Sequence, residues 1–287
     1  MPELPEVESV ARSLRRRVRG LRIVAVEAYP PEGRGGRAAA TGWGGGREAR
    51  AAVASPLAAL AGRTIDRVGR RGKNLILECG DLALLFHLKM TGRFLWGRAG
   101  RPRGKHVHLV LRFADPEREL HFEDVRKFGL VRCRPLSGLA ACPELRALGP
   151  EPFDVAPDAF AARLKARRGR LKSVLLDQSF LAGVGNIYAD EALFAAAVHP
   201  LASAAGLSRP RADKLRAELL DILRRAIAAG GSSVRDYRDA DGELGSFQDE
   251  HRVYGRAGEP CPRCGAPIRR AVIGGRGSHY CPRCQKR

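Results

Sequence analysis

The chain has 287 residues, 44% of them hydrophobic, which is enough to bury a substantial core and to fill two domains. Its 51 Lys and Arg against 31 Asp and Glu leave a net charge of +20, a field that attracts polyanions, although ribosomal, membrane-surface and nucleic-acid enzymes all share it. No apolar run approaches the ~18 residues of a membrane span, and Glu3, Glu6 and Glu8 stand where a signal peptide carries lysines, so the expected location is cytoplasmic.

The chain opens Met1-Pro2-Glu3-Leu4-Pro5-Glu6. Removal of Met1, which the small ring of Pro2 permits, leaves a secondary amine with an acid beside it. An α-amino group titrates near pH ~8, so a fraction is uncharged and nucleophilic at neutral pH. Its adduct with an aldehyde-like carbon is a cationic iminium, an electron sink around which Glu3 can move protons. The plain alternative, an ordinary chain start, is not decided by six residues.

Next, 6–19 spaces Val7, Val10, Ala11, Leu14 and Val18 along one helical face, with arginines elsewhere that read as a solvated surface, and Gly20 as the stop. A strand is expected at 21–29, then a Gly/Ala/Arg-rich loop at 30–54. Short β-type runs follow at 64–68, 74–79, 82–88, 93–96, 107–113, 119–122 and 129–133, punctuated by Gly80-Asp81, Thr91-Gly92 and Asp115-Pro116. Many short strands with turn signals predict an antiparallel sandwich or barrel. A Pro/Gly-rich linker occupies 135–156, after which helical periodicity predicts helices at 158–168, 171–178, 186–198 and 209–229, with Asn186 as an N-cap and Gly230-Gly231 as a stop. A polar, flexible loop is expected at 232–248.

Cys261-x-x-Cys264 and Cys281-x-x-Cys284 form the strongest local signal. Four thiolates in two tight knuckles close a tetrahedral shell suited to zinc, and with every position filled by protein the metal is structural. Between the knuckles, Arg269, Arg270, Arg276 and His279 make a basic hairpin. The Gly183-Val-Gly185 turn before Asn186 presents amides and a helix start to an anion, where a phosphate fits, though such turns usually mean tight packing. Met90 and Phe128 interrupt polar, turn-like sequence in the β region, beside Arg126. Apolar wedges of this type enter base stacks, and a neighbouring arginine satisfies an orphaned base, although methionine more often fills a core. His106 and His108 lack the further ligands of a metal site.

These motifs, MPELPEVE, KNLIL, HLKMTG, DVRKFG, LLDQSFLAGVGNIYADE, GGSSVRDY, GSFQDEHRVYGRAGEPC and CPRCGAPI followed by RGSHYCPRCQ, together resemble the formamidopyrimidine-DNA glycosylase family over nearly the whole chain. The resemblance implies an α+β protein: an N-terminal helix plus antiparallel β-sandwich domain at 1–134, the linker, a helical helix-two-turn-helix domain at 157–249, and a C-terminal four-cysteine zinc finger at 250–287, with DNA between the domains. It implies base-excision repair of 8-oxoguanine and formamidopyrimidines by a bifunctional glycosylase and abasic-site lyase. Pro2 is then the nucleophile, Glu3 the general acid/base, Glu6 a support for the terminus, Lys73 a phosphate-contacting proton donor, and Arg276 a residue of the final elimination. Met90, Arg126 and Phe128 correspond to the void-filling triad, Lys172 and Asn186 to phosphate-gripping positions, and His106 and Arg167 to weaker DNA contacts. One structural Zn2+ is implied, with no redox or nucleotide cofactor; the partner is double-stranded DNA carrying oxidised bases or abasic sites, with no membrane and no obligate protein partner, for a monomer associated with the bacterial nucleoid. The readings held beside it are an endonuclease VIII-like enzyme for oxidised pyrimidines and a non-catalytic DNA-binding relative. Two departures stand out: the loop 30–54 is unusually Gly/Ala/Arg-rich, and Ser173 stands where proline often follows the lysine.

Overall fold

The structure is a computed structural model that describes residues 1–29, 56–234 and 237–287, so the expected loop at 30–54 lies outside the described residues. The chain divides into two compact units. The first comprises Met1–Pro2, Glu6–Arg146 and Ser232–Gly245; the second comprises Glu3–Pro5, Ala147–Gly231 and Ser246–Arg287.

Helix α1 (Leu4–Val18), which lies in the first unit from Glu6 onward, buries the apolar stripe read from its spacing, Val7, Val10, Ala11, Leu14 and Val18. It starts earlier than expected because Pro5 falls in the first turn, where a missing N–H costs nothing. Its arginines are not simply solvated: Arg15 donates to Val68 O, and Arg16 and Arg17 both reach Asp241. Eight strands follow, β1 (Ile23–Ala28), β2 (Arg67–Arg71), β3 (Asn74–Cys79), β4 (Leu82–His87), β5 (Gly92–Arg98), β6 (Val107–Phe113), β7 (Arg118–Asp124) and β8 (Leu130–Pro135). They form two antiparallel four-stranded sheets, ordered β1-β6-β7-β5 and β2-β3-β4-β8.

Alternation along the strands sends Leu75, Leu77, Leu84 and Phe86 from one sheet, and Phe94, Leu109, Leu111, Leu120 and Phe122 from the other, into one core. Phe86, Phe94 and Phe122 meet there with ring centroids 4.8 to 5.3 Å apart, each pair contributing about 0.5–1.5 kcal/mol beyond burial. The Gly80-Asp81 signal marks the two-residue turn between β3 and β4, with Gly80 at φ 63°. The segment read as linker is structured: a 3₁₀ turn, Leu136–Ala141, buries Leu139 and is followed by buried Cys142 and Leu145.

The second unit holds helices α2 (Pro157–Lys165), α3 (Leu171–Leu176), α4 (Asn186–Ala195) and α5 (Arg209–Ala228), and the hairpin β9 (Arg269–Ile273) and β10 (Arg276–Tyr280). Helix α4 is buried from Ile187 through Phe194, on every side, and α5 lays Leu215, Leu219, Ile222 and Leu223 against the same core. The expected α+β architecture, with sandwich, helical region and C-terminal cysteine finger, is present. Helix α3 stops two residues short of its expected end because Asp177 turns back to accept the Ser179 N–H.

Candidate functional site

Behind an exposed Met1 the chain is buried rather than frayed: Pro2, Glu3 and Leu4 are all shielded from solvent. Leu4 N–H donates to Gly183 O at 3.0 Å, and Ile187 N–H donates to Glu3 Oε1 at 3.0 Å. The Gly183-Val-Gly185 turn is a seat for these two residues. Gly183 sits at φ 93°, where a Cβ would lie 2.8 Å from Leu4 Cβ; at Gly185 a Cβ would lie 2.2 Å from Glu3 Cδ. At this helix start the protein's own Glu3 carboxylate takes the Ile187 amide. Asn186 is not the N-cap. Gly185 takes that position without a side chain, and Glu3 satisfies the Ile187 amide in its place.

Glu6 is held within the first unit. Its Oε1 accepts the Ser232 N–H at 2.8 Å, and the Tyr237 hydroxyl donates to its backbone oxygen at 3.0 Å. Burial pushes the Tyr237 phenol well above its usual range, so it acts here as a donor. The described part of the 232–248 segment is thus anchored rather than loose: Ala240 joins the sandwich core and Asp241 binds the two α1 arginines.

Lys73 lies in the tight turn between β2 and β3 and is buried. Burial first, then the Lys89 and Lys73 ammoniums, drive the neighbouring His87 imidazole down to about 3, so it is neutral and accepts the Lys89 N–H. Met90 and Phe128 are 39% and 42% exposed, and the Arg126 guanidinium lies 5.0 Å over the Phe128 ring. His106 is half-buried, and its backbone oxygen accepts the Asp124 N–H.

In the second unit Lys172 is 0% exposed, and its ammonium donates to Asp190 Oδ1 at 2.6 Å and to Asn186 O at 2.8 Å. Burial lowers its pKa while Asp190 opposes the shift. This cation, expected to grip phosphate, is spent inside the protein. Asp190 Oδ2 accepts the His279 N–H from the β10 strand, and Asn186 Nδ2 donates to Gly277 O, so α4 grips the hairpin twice. Arg276 is exposed at the start of β10, while Arg167 bonds Asp177 and Ser179. The Sγ atoms of Cys261, Cys264, Cys281 and Cys284 lie within 4.8 Å of one another, with Cys261–Cys284 at 3.9 Å and Cys264–Cys281 at 3.5 Å. A tetrahedron with Zn–S of ~2.3 Å sets S–S at about 3.8 Å, so these four thiols fit a zinc ion.

Family models match all three parts. Residues 1–131 match the formamidopyrimidine-DNA glycosylase N-terminal domain, 148–238 the formamidopyrimidine-DNA glycosylase H2TH domain, and 258–287 a zinc finger found in FPG and IleRS. The chain belongs to the formamidopyrimidine-DNA glycosylase family. Relatives of that name include one from Bacillus licheniformis, 42% identical over 290 residues, and one from Solibacter usitatus, 45% identical over 288, each aligned over 100% of both chains. The solved complex of Lactococcus lactis Fpg with abasic-site DNA is 37% identical, with TM-score 0.86 over 99% of this chain and 100% of that one. A complex of MutM with carbocyclic 8-oxo-G DNA gives 38% identity and TM-score 0.86 over 100% of both chains.

Sequence reasoning passed over several groups on which this member of the formamidopyrimidine-DNA glycosylase family relies. Asp190 and Glu191 are acids in a wholly buried helix, and each must be satisfied there. Glu191 accepts the N–H groups of Arg252, Val253 and Tyr254, fixing the chain that leads into the finger. Burial raises the Glu191 pKa and those amides oppose it. The available signal was the pair of charges in an otherwise apolar α4.

Proposed function

We propose that the chain excises oxidised purines, 8-oxoguanine and formamidopyrimidines, from duplex DNA and then cleaves the resulting abasic site. The observation that carries this reading is the seating of Glu3 by Gly185 and Ile187 next to a buried Pro2, in a chain whose family is that of DNA glycosylases. With Met1 removed, the Pro2 nitrogen attacks C1′. The glycosidic bond breaks with its electron pair going to the base, which leaves protonated. The C1′–N bond becomes an iminium, and Glu3 moves the protons that ring opening and elimination require. Loss of a C2′ proton expels the 3′ phosphate, and a second elimination expels the 5′ phosphate, leaving a one-nucleotide gap.

Lys73 supports this by meeting a backbone phosphate and donating a proton, Arg276 by acting at the second elimination, and Glu6 by fixing the start of α1. Met90, Arg126 and Phe128 fill the void of the extruded base. Asn186 is assigned to the DNA backbone and Arg167 and His106 to weaker DNA contacts, whereas Lys172 serves by holding Asn186. Cys261, Cys264, Cys281 and Cys284 hold one structural Zn2+, which keeps the hairpin folded when bound. The partner class agrees with the solved neighbours, whose DNA carries an abasic site, Fapy-dG or carbocyclic 8-oxo-G.

Borohydride trapping on a duplex with one 8-oxoguanine opposite cytosine, followed by mass mapping, tests the reading. An adduct at Pro2 is expected. An adduct formed only on oxidised-pyrimidine DNA replaces the purine assignment, and no adduct on either substrate refutes the mechanism.

A further inference from the structure

Asp124, the last residue of β7, is 0% exposed, and among the described residues it makes no salt bridge. Its charge is met by three donors drawn from two different turns. Oδ1 accepts the Thr91 hydroxyl and, at 3.2 Å, the Arg126 N–H, which also points at Thr91 Oγ1 at 3.1 Å. Oδ2 accepts the Gly129 N–H at 2.6 Å. One carboxylate therefore clasps the turn carrying Met90 and the turn carrying Arg126 and Phe128.

Both turns are under backbone strain at matching places. Lys89 at φ 52° immediately precedes Met90, and Lys127 at φ 60° immediately precedes Phe128, non-glycine residues in the left-handed region. Such conformations persist where the surroundings over-determine them, and here the surroundings are the Asp124 clasp. Gly92 and Gly129 close the outer side of each turn. A Cβ at Gly92 would lie 2.6 Å from Leu88 O, and one at Gly129 would lie 2.9 Å from the Phe122 ring and 3.0 Å from Asp124 Oδ2. Next to these two strained residues, Met90 and Phe128 are 39% and 42% exposed.

We propose that Asp124, through Thr91, is a positioning residue that locks the Met90 turn and the Arg126–Phe128 turn into one rigid double prong, so that both enter the base stack together. The proposal rests on the assignment of these three residues to the void of an extruded base. Extraction of a stacked base depends on the prong, whereas cleavage of a preformed abasic site, with no base to extract, depends on it far less.

The variants are Thr91→Val, which keeps shape and deletes the hydroxyl, Thr91→Ser, which restores it, and Asp124→Asn. Two readouts are used on the full-length protein: single-turnover rates on 8-oxoguanine duplex against preformed abasic-site duplex, and the fluorescence of 2-aminopurine beside a tetrahydrofuran site in a bound duplex. Thr91→Val is expected to slow 8-oxoguanine release by about tenfold, the scale of one lost hydrogen bond to a charged group, with abasic-site cleavage within about twofold. The 2-aminopurine unstacking signal falls in parallel, Thr91→Ser recovers both, and Asp124→Asn is more severe than Thr91→Val. Equal losses on both substrates, or unchanged unstacking in Thr91→Val and Asp124→Asn, overturn the proposal. Because unstacking needs binding alone, the tests separate: a wild-type protein that excises nothing yet shows Thr91-dependent unstacking refutes the assigned reaction and leaves the double prong standing.

Discussion

Gly185→Ala isolates the contact that seats Glu3, the proposed general acid/base. Gly185 has φ −134°, open to any residue, so alanine meets no backbone strain there and only the space behind it is changed. The new Cβ would stand 2.2 Å from Glu3 Cδ, 2.5 Å from Oε1 and 2.6 Å from Cγ, against an ordinary contact that begins at 3.4 Å. The carboxyl group must retreat by at least 3.4 − 2.2, or 1.2 Å, because Gly185 itself is pinned by the Ala189 N–H that bonds its carbonyl at 3.1 Å. The 3.0 Å bond from Ile187 then opens past any useful length.

A lost hydrogen bond to a charge costs about 1.5–3 kcal/mol, which lowers Tm by roughly 3–10 °C in a chain of this size. Displacing a proton-transfer group by about 1 Å costs on the order of a hundredfold in rate. The assay is single-turnover release of 8-oxoguanine, with the melting curve and gel-shift affinity alongside. We expect the rate to fall about a hundredfold while affinity changes by less than about threefold, since no phosphate contact is touched. In Glu3→Ala the alanine at 185 has nothing to displace, so the double variant should be no slower than Glu3→Ala alone. Wild-type excision by Gly185→Ala, or additive losses in the double variant, refutes the reasoning.

Three further outcomes follow from the second unit. Cys261→Ser, or chelation, should release zinc and weaken both DNA binding and incision, because the hairpin has too little core to stay folded alone; a gel shift unchanged after chelation contradicts this. Lys172→Met strands a fully buried Asp190 and should cost about 3–5 kcal/mol by urea unfolding, with Lys172→Met/Asp190→Leu recovering at least half of it; equal losses in the two variants count against the pairing. Burial lowers the His251 imidazole to about 4 from an ordinary 6.5, so it folds neutral, and stability falls as pH drops from 6.5 toward 4 because the unfolded chain takes the proton first. The gap between those two values is worth at most about 3 kcal/mol, and His251→Gln should flatten the pH dependence of the urea midpoint by that amount; an unchanged slope rejects the assignment.

The strands were legible because a buried sheet face writes itself into the sequence at every second residue, as Leu75, Leu77 and Cys79 do in β3. The cysteine cage was legible because its spacing is its geometry. What escaped were contacts whose partners lie far apart in the chain: Glu3 with Ile187, Glu6 with Ser232, and Asp124 with Thr91. The stretch 232–248 looked loose because its anchors among the described residues, Ser232, Tyr237, Ala240, Asp241 and Phe247, are scattered among polar residues without any regular period. The linker reading missed Leu139, Cys142 and Leu145 for the same reason. Lys172 and Asn186 were expected to grip phosphate on the family resemblance alone, and a motif match carries no sign that Lys172 would instead meet Asp190 in the interior.

That inward turn of Lys172 ties the finger to the acid. Asp190 holds both the His279 amide of β10 and the Lys172 ammonium; Lys172 in turn holds the carbonyl of Asn186, the first residue of α4. The next residue, Ile187, holds Glu3, and the Glu3 carboxylate is close enough to Lys172 to favour its charged form. A buried pair of this kind adds little net stability beyond what an apolar pair would give, so its value lies in fixing one arrangement of the groups it joins. The four-cysteine hairpin, helix α4 and the carboxylate beside Pro2 are links of a single hydrogen-bonded chain, and loss of the proposed zinc should be felt at Glu3 as well as at Arg276.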